Sequence, residues 1–335
     1  MSLDFARLGP WLEENVRLQG PHKATKFSGG QSNPTYLVEG ASGAVVLRRK
    51  PPGKLLKSAH AVDREFRVQR ALATSEVPVA DVHALCEDES VIGATFYVME
   101  HITGRVFDDP RLGGVDKLER LIYCKEIGRV LAAIHSVDLT AVGLTDYGPS
   151  GNYFRRQIDR WSGQYRASET QPIAAMDRLM VDLDRTCPED DGRVTLVHGD
   201  YRIDNLMFDT QAPRVRAVLD WELSTLGHPF ADLAGVIMQW QMPPGDQGRG
   251  LRGVDRAAQG LVSDEEFVAA YCERMGIARI DNFGFYVAFC FFRMGAILQG
   301  VAKRALDGNA SDPERGRKLG AFVPLYAEAG LEALG

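Results

Sequence analysis

The sequence predicts an α+β fold in two parts, a small antiparallel sheet followed by a larger, mainly helical part. Residues 24–50 hold two apolar-rich runs broken by Gly-Gly and by the stretch EGASG, which is typical of a β-hairpin. A helical repeat at 58–75 and two more apolar runs, the second ending near Thr103, complete the order strand, strand, strand, helix, strand, strand. We therefore expect a boundary between an N-terminal lobe at 1–102 and a C-terminal lobe at 103–335.

Helical spacing dominates the second part. The first predicted helix, at 116–138, carries a long apolar stripe. Two short strands are expected at 194–197 and 215–219, and the Gly-, Pro- and Arg-rich segment 241–262 is predicted to be a mobile loop. The remaining predicted helices lie around 152–166, 172–185, 230–240, 264–275, 281–305 and 313–334.

Composition excludes several classes of protein. The net charge of −6 over 335 residues argues against nonspecific nucleic-acid binding. Five scattered cysteines without a Cys-x-x-Cys pair indicate neither a disulfide framework nor a zinc site, and a cytoplasmic protein is expected. The N-terminus lacks the apolar segment of a signal peptide. The apolar stretch 283–301 has Arg293 in its middle, so it predicts a buried core helix and no membrane partner.

One short stretch concentrates polar groups suited to chemistry. His198, Gly199 and Asp200 are followed by Asn205, and Asp220 comes at the end of the next predicted strand. One carboxylate and one amide oxygen suit a Mg²⁺ ion that is bound mainly through nucleotide phosphates. Asp200 is then available to accept a proton from a hydroxyl group. The structural alternative is that Asp200 and Asn205 only cap a turn.

These residues resemble the catalytic loop H-x-D-x-x-x-x-N of the aminoglycoside phosphotransferase and choline kinase-like family, whose members are relatives of the protein kinases. The chain is similar in particular to the subgroup associated with acyl-CoA dehydrogenases. The resemblance implies a two-lobed protein-kinase-like fold and an enzyme that moves the γ-phosphate of ATP to a hydroxyl group. It also implies that Asp200 is the catalytic base and that Asn205 and Asp220 hold Mg²⁺.

The resemblance assigns nucleotide contacts to the N-terminal part. The segment VMEHI would be the hinge whose backbone reads adenine, which includes Glu100 and Ile102. The segment SGGQSN would lie over the phosphates, although it lacks the G-x-G-x-x-G pattern. The loop residues concerned are Ser28, Gly29, Gly30 and Ser32.

A basic side chain of the small lobe should contact the α- and β-phosphates and pair with a helix glutamate. The candidates are Arg48 and Glu65. The family more often has lysine at this strand position, and arginine is bulkier and forked, so Lys50 on the same strand face is the alternative. A solvated surface pair is the structural alternative for Arg48 and Glu65.

Three further polar residues are interpreted as structural. His198 is expected to orient the loop through hydrogen bonds. His135 is predicted to be a satisfied histidine at a helix end. Asp232 is expected to be an N-cap or a brace for the metal-binding loop.

The acceptor is predicted to be a small molecule bearing a hydroxyl group. Only eleven residues separate Asp220 from Asp232, which leaves no room for the long activation segment of a protein kinase. The helix at 152–166 carries several arginines among aromatic residues. If this cluster faces the substrate, it favours an anionic, partly apolar acceptor; the alternative is a solvated helix face. The resemblance to the subgroup associated with acyl-CoA dehydrogenases implies a hydroxyacyl-CoA as the candidate. The candidate residues are Arg155, Arg156, Arg160 and Tyr165.

Other functions stay open on the sequence alone. An aminoglycoside, amino-alcohol or sugar kinase is the first alternative. Arg48 and the irregular glycine loop motivate the second, a nucleotide-binding regulatory module with little transfer activity. A Rossmann-type oxidoreductase would need a glycine fingerprint that the sequence lacks. The sequence indicates no oligomeric state.

Overall fold

The computed structural model describes residues 3–27, 33–51, 61–245, 248–309 and 312–335. It confirms the predicted α+β class. The described chain divides into two compact units, and each unit combines segments from distant parts of the sequence. The first unit comprises Met1–Val106, Val137–Thr145 and Asp204–Ser224, and the second comprises Phe107–Ser136, Asp146–Ile203 and Thr225–Gly335. The first unit therefore does not consist of a single N-terminal segment. The predicted boundary after residue 102 stays a prediction.

An antiparallel sheet forms most of the first unit, as predicted. Its five strands lie in the order β1, β2, β3, β5, β4. The EGASG stretch closes the β2–β3 hairpin, with Gly40 opposite Gly43. The strands are β1 (Lys23–Lys26), β2 (Thr35–Gly40), β3 (Gly43–Arg49), β4 (Val82–Cys86) and β5 (Phe96–Glu100).

A helix absent from the sequence prediction, α1 (Phe5–Val16), precedes this sheet. Asp4 caps it by accepting from the Ala6 N–H, and Pro10 lies inside it. Proline removes a helical hydrogen bond, which is why the segment did not read as helical. Burial compensates, since Leu8 and Leu12 are fully buried. They pack in one cluster with sheet residues, including Val38, Leu47 and Phe96.

Two further elements of the first unit position polar residues. Helix α2 (Val62–Leu72) buries Glu65 and Gln69, one turn apart, together with its apolar face. The short strands β7 (Leu206–Phe208) and β8 (Val215–Val218) pair antiparallel. Only the second of these strands was predicted from the sequence.

The second unit is mainly helical. Strands β6 (Thr195–Val197) and β9 (Thr225–Gly227) form a small ladder beside the helices, and β9 was not predicted. The predicted segment 313–334 is two helices, because Pro324 cannot continue the first one. The predicted loop 241–262 contains a short helix, α7. The helices are α3 (Lys117–His135), α4 (Tyr153–Ser168), α5 (Ala174–Thr186), α6 (Phe230–Trp240), α7 (Arg256–Gln259), α8 (Asp264–Met275), α9 (Phe283–Leu306), α10 (Pro313–Gly320) and α11 (Val323–Leu334).

Helix α9 is the central helix of this unit. Among the described residues it is the one helix long and apolar enough to cross a membrane, but 72% of its most apolar window is buried inside the protein. It packs against α4, α5, α6, α10 and α11. The prediction of a buried core helix is therefore confirmed. All five cysteines are free, in agreement with the expected lack of a disulfide framework.

Candidate active site

Arg48 is the centre of a polar cluster in the first unit. It lies on β3, and its side chain is only 11% exposed. Its Nε atom lies 2.7 Å from Oε2 of Glu65, and its Nη2 atom lies 2.5 Å from Oδ1 of Asp220. Oε2 of Glu222 is 4.0 Å from the same Nη2. Three carboxylates therefore surround one guanidinium group.

The predicted pairing of Arg48 with Glu65 is present, and it is buried. Glu65 is 1% exposed, so the alternative of a solvated surface pair is wrong. Lys50 instead lies 3.4 Å from Asp63 in a more exposed position. The structure thus places Arg48, and not Lys50, against the helix glutamate. The contact of Arg48 with nucleotide phosphates stays a prediction.

Several neutral groups complete the surroundings of Glu65. Nδ2 of Asn33 donates to Oε1 of Glu65 at 2.6 Å, and it lies 3.5 Å from Oε2 of Glu222. The Tyr97 hydroxyl donates to Oε2 of Glu65 at 3.3 Å. Asn33 is 1% exposed and Tyr97 is fully buried as well. The cluster is therefore fixed by packing as well as by charge.

Burial and charge oppose each other in this cluster. Burial raises the pKa of Glu65, the Arg48 charge lowers it, and nearby Asp220 raises it again, with a net pKa of about 7. For Arg48, burial lowers the pKa, but the carboxylates of Glu65 and Asp220 raise it further above its ordinary value. Arg48 is therefore charged, while Glu65 titrates near neutrality.

Asn205 and Asp220 lie at the same end of the β7–β8 hairpin. Asn205 directly precedes β7, and Asp220 follows β8 by two residues. The Leu219 N–H donates to the Asn205 carbonyl at 2.8 Å. Asp220 adopts a left-handed backbone with φ of 64°, which is unfavourable for a non-glycine residue and is common at functional sites. Its side chain caps nothing in the turn that follows.

This donor set fits a magnesium ion bound with a nucleotide. Mg²⁺ is usually held by one or two carboxylates, with phosphate and water oxygens completing its shell. Asn205 and Asp220 offer one amide and one carboxylate, and the Asp220 side chain is 32% exposed. Across the described residues, no group of three or more His, Cys, Asp or Glu is arranged to hold a metal alone.

The loop of Asp200 belongs to the second unit, and Asp232 on α6 braces it. Oδ2 of Asp232 accepts from the His198 N–H at 2.6 Å, and Oδ1 accepts from the Gly199 N–H at 2.9 Å. Asp232 is 3% exposed. Burial raises its pKa, but His135, His198 and the Gly199 N–H lower it below its ordinary value. The prediction of a brace is confirmed.

Asp200 itself stays partly exposed while its neighbours are fixed. Its N–H donates to Nδ1 of His198 at 3.3 Å, which confirms that His198 orients the loop. The Tyr201 hydroxyl donates to the Ile127 carbonyl at 2.7 Å. The Asp200 side chain is 34% exposed, and its Oδ1 lies 4.0 Å from Nε of Arg202. A carboxylate held this way is accessible to a substrate hydroxyl.

His135 has the structural role expected of it. Its Nδ1 lies 2.7 Å from the Tyr271 hydroxyl, and its Nε2 lies 3.4 Å from Oδ2 of Asp232. The ring is 3% exposed. It therefore lies against Asp232, the residue that braces the loop.

The predicted adenine and phosphate contacts are placed only in part. Glu100 ends β5, and its N–H donates to the Asp81 carbonyl at 2.8 Å. Ile102 follows it and is half-buried. Their role as a hinge stays a prediction. Four residues of the predicted phosphate loop lie outside the described residues. They are Ser28, Gly29, Gly30 and Ser32.

The four acceptor candidates on α4 differ in their surroundings. Arg155 pairs with Asp184. Arg156 donates to two backbone carbonyls of the preceding loop, at 2.9 and 3.0 Å. Tyr165 is fully buried in the core. Arg160 is exposed, with its Cζ atom 5.3 Å from the centre of the Trp161 ring. Their role in binding an acceptor stays a prediction.

Sequence reasoning missed three residues of these clusters. Asn33 ends the SGGQSN segment, and its position directly before Pro34 and β2 was the available signal. Glu222 stands two residues after Asp220 in the sequence LDWE, which places it beside the same cluster. Arg293 was read only as an interruption of an apolar run, yet its Nη2 donates to the Gly199 carbonyl at 2.7 Å.

The fold and the two polar clusters define a phosphotransferase of the protein-kinase-like class. A small antiparallel sheet carries a buried basic residue paired with a helix glutamate, and the mainly helical unit carries the His-Gly-Asp loop. The chain belongs to the phosphotransferase enzyme family, whose model matches residues 23–271. It is a small-molecule kinase by family and fold.

Solved structures support this membership. A candidate aminoglycoside phosphotransferase from Ralstonia eutropha is 45% identical, with a TM-score of 0.90, and the match covers 99% of this chain and 98% of that chain. The aminoglycoside phosphotransferase APH(4)-Ia, solved with AMP-PNP and hygromycin B, is 18% identical, with a TM-score of 0.62, and the match covers 97% and 98%. At that identity the second likeness concerns the fold alone.

The curated relatives are longer proteins that are named as acyl-CoA dehydrogenase family members. Acyl-CoA dehydrogenase family member 10 of Mus musculus is 49% identical over 87% of this chain and 27% of its own length. Acyl-CoA dehydrogenase family member 11 of Homo sapiens is 40% identical over 92% of this chain and 39% of its own length. The chain thus spans about a quarter to two fifths of these relatives.

Proposed function

We propose that this protein transfers the γ-phosphate of ATP to a hydroxyl group of a small molecule, with Mg²⁺ as cofactor. The observation that carries the proposal is the buried Arg48, paired with Glu65 and in contact with Asp220 beside Asn205. Kinase-like folds contact nucleotide phosphates with a strand lysine that pairs with a helix glutamate, and Arg48 takes the place of that lysine here. The fold neighbour APH(4)-Ia, which was solved with AMP-PNP, supports a nucleotide substrate.

Each cluster then has its own task. Arg48 contacts the phosphates of ATP, and Asn205 and Asp220 hold Mg²⁺, which neutralises charge on those phosphates when bound. Asp200 accepts the proton of the acceptor hydroxyl. The hydroxyl oxygen forms a bond to the γ-phosphorus as the bond to the β-phosphate oxygen breaks, which leaves ADP and the phosphorylated acceptor.

The first test compares Asp200→Asn and Asp220→Asn with the wild type in an ATP-dependent transfer assay. Asp200→Asn should lower kcat by roughly 10²–10⁴-fold, because general-base assistance is lost. Asp220→Asn should lower activity at least as much, since charge neutralisation dominates phosphoryl transfer. Asp281→Asn is a matched control, because Asp281 is 73% exposed and its one ion pair among the described residues is with the exposed Arg279. Full activity of Asp200→Asn would overturn the assignment.

For the acceptor we propose an anionic hydroxy compound, a hydroxyacyl-CoA being the first candidate. The names of the curated relatives support acyl-CoA chemistry, although this chain matches less than half of each of them. The alternative is an aminoglycoside, amino-alcohol or sugar, as for APH(4)-Ia with hygromycin B. A transfer screen over these four compound classes, read by ³¹P NMR of the products, decides between them. Transfer to polycationic acceptors alone would exclude the anionic class.

A further inference from the structure

Trp161 on α4 contacts two guanidinium groups of the second unit. Cζ of Arg160 lies 5.3 Å from the centre of its ring, and Cζ of Arg293 lies 5.8 Å from it. The indole N–H donates to Oε1 of Gln157 at 3.0 Å, which fixes the orientation of the ring. Aromatic faces attract cations, so the Trp161 ring stabilises both positive charges.

Arg293 connects this arginine–tryptophan cluster to the catalytic loop. Its Nη2 donates to the carbonyl of Gly199 at 2.7 Å, and Gly199 directly precedes Asp200. Any anion bound by the cluster therefore lies close to the loop that carries the proposed base. Among the described residues, the Arg293 guanidinium group donates no other hydrogen bond.

The charges of this cluster are not balanced by the protein. In the described ranges, neither Arg160 nor Arg293 has an Asp or Glu oxygen within 4.0 Å, although Arg293 is half-buried. A partly buried cation without a counter-ion is costly, so an anionic ligand would be favoured there.

The other arginines of α4 show the contrast. Arg155 pairs with Asp184, and Arg166 pairs with Asp177 at 2.5 Å. Arg156 donates to the carbonyls of Pro149 and Ser150. These three guanidinium groups are engaged within the protein. Arg160 alone on this helix combines exposure, an aromatic neighbour and a guanidinium group without a carboxylate.

We infer that Arg160, Trp161 and Arg293 recognise a phosphate group of the acceptor. This inference rests on the proposed function and specifies it, since it adds the charged group by which the acceptor is selected. A guanidinium group suits a phosphate, whose oxygens accept paired N–H bonds, and two such groups contact the Trp161 ring without a carboxylate partner among the described residues. The phosphate can belong to the nucleotide end of a CoA thioester or to a smaller phosphorylated metabolite.

Calorimetric binding of CoA to the full chain tests the inference, with excess ADP and Mg²⁺ present to fill the nucleotide site. Arg160→Gln should weaken CoA binding by about 10-fold or more, because a charge-assisted bond is lost. Arg166→Gln is the matched control on the same helix and should bind CoA like the wild type. Pantetheine, which lacks the nucleotide phosphates, should bind the wild type and Arg160→Gln equally.

Competition between CoA and pyrophosphate identifies the source of the phosphate. If pyrophosphate competes with CoA, and its binding depends on Arg160, the cluster recognises the phosphate itself. If pyrophosphate leaves CoA binding unchanged, the cluster recognises the whole nucleotide end of CoA. Equal CoA affinity of Arg160→Gln and the wild type would overturn the inference. So would a wild-type protein that binds neither CoA nor pyrophosphate.

The two proposals fail separately. Asp200→Asn should bind CoA with the dependence on Arg160 intact, while its transfer rate falls as described above. If CoA binding depends on Arg160 while no acceptor is ever phosphorylated, the proposed function fails and the binding site stands. If transfer occurs but the acceptor KM is the same in Arg160→Gln, the site fails and the kinase assignment stands.

Discussion

Arg48 and Asp220 form an ion pair with 2.5 Å between Nη2 and Oδ1, although they are 172 positions apart in the sequence. The same guanidinium group lies 2.7 Å from Glu65 through its Nε. A forked arginine can engage two carboxylates in fixed directions, which the single ammonium group of lysine does less well. Arginine at this strand position therefore both anchors α2 and places a carboxylate beside Asn205.

Arg48→Met should lower the free energy of unfolding by about 3–5 kcal/mol, because Glu65 and Asp220 would lose their buried counter-ion. Urea unfolding at pH 7 measures the effect. Arg279→Met is the control, since Arg279 is 82% exposed and its pair should contribute no more than about 1 kcal/mol. Equal losses in the two variants would show that burial does not set the strength of the Arg48 cluster.

Glu65→Gln should change how stability depends on pH. The folded pKa of Glu65 is about 7, against an ordinary value of 4.5. The folded protein therefore holds the proton more tightly than the unfolded chain, so this contribution is complete below pH 4.5 and is lost as the pH rises to about 7. Relative to Glu65→Gln, the wild type should lose roughly 1–3 kcal/mol across this window. Urea unfolding at several pH values tests it; a constant difference would contradict the raised pKa.

The sequence singled out the central residues of the polar clusters better than the residues that surround them. The resemblance to the phosphotransferase family was enough to propose Arg48 with Glu65, while Lys50 stayed open as the alternative until the structure placed Arg48 against Glu65. Asn33 and Glu222 were not singled out, since they meet only when residues 189 positions apart come together. Such contacts follow from the tertiary packing and leave no local pattern in the sequence.

The same reasoning explains the elements that were missed. Strands β7 and β9 have three residues each, too few for an alternating pattern, and they exist because a partner strand pairs with them. Helix α1 contains Pro10 and is held by the burial of Leu8 and Leu12. The long helices, whose apolar stripes cover several turns, were predicted within a few residues.

Gly104→Ala tests a close approach next to the predicted hinge segment. A Cβ atom at Gly104 would lie 2.4 Å from Cγ of Met207 and 2.6 Å from the Phe208 carbonyl oxygen. The adjacent Arg105 exchanges two backbone hydrogen bonds with Phe208, both of 2.8 Å, so the chains cannot separate freely. We expect a loss of about 1–3 kcal/mol in the free energy of unfolding.

Gly113→Ala is the matched control for this substitution, because a Cβ atom at Gly113 would meet nothing within 4 Å. It should leave stability unchanged or raise it slightly through the unfolded state. Thermal unfolding of both variants gives the comparison. Similar unfolding temperatures for Gly104→Ala and Gly113→Ala would mean that strand β7 moves away from the added Cβ atom without a loss of stability.

Asp232→Asn tests whether the brace acts on catalysis as well as on stability. Asp232 accepts two backbone N–H groups, from His198 and Gly199, with different oxygens. An asparagine has one carbonyl oxygen, so one N–H would face an amide donor instead of an acceptor. We expect a loss of about 1.5–3 kcal/mol in the free energy of unfolding. Because the pKa of Asp232 lies below 3.8, its contribution is present above pH 3.8 and is lost as the pH falls further.

Displacement of the loop should also lower kcat, since an error of about 1 Å at a reacting group can cost roughly 10²-fold. The KM for ATP should change little, because the groups proposed to bind the nucleotide belong to the first unit. Steady-state kinetics of Asp232→Asn and of the exposed control Asp281→Asn separate the two effects. If Asp232→Asn lost stability but kept the wild-type kcat, Asp232 would support the fold without positioning Asp200.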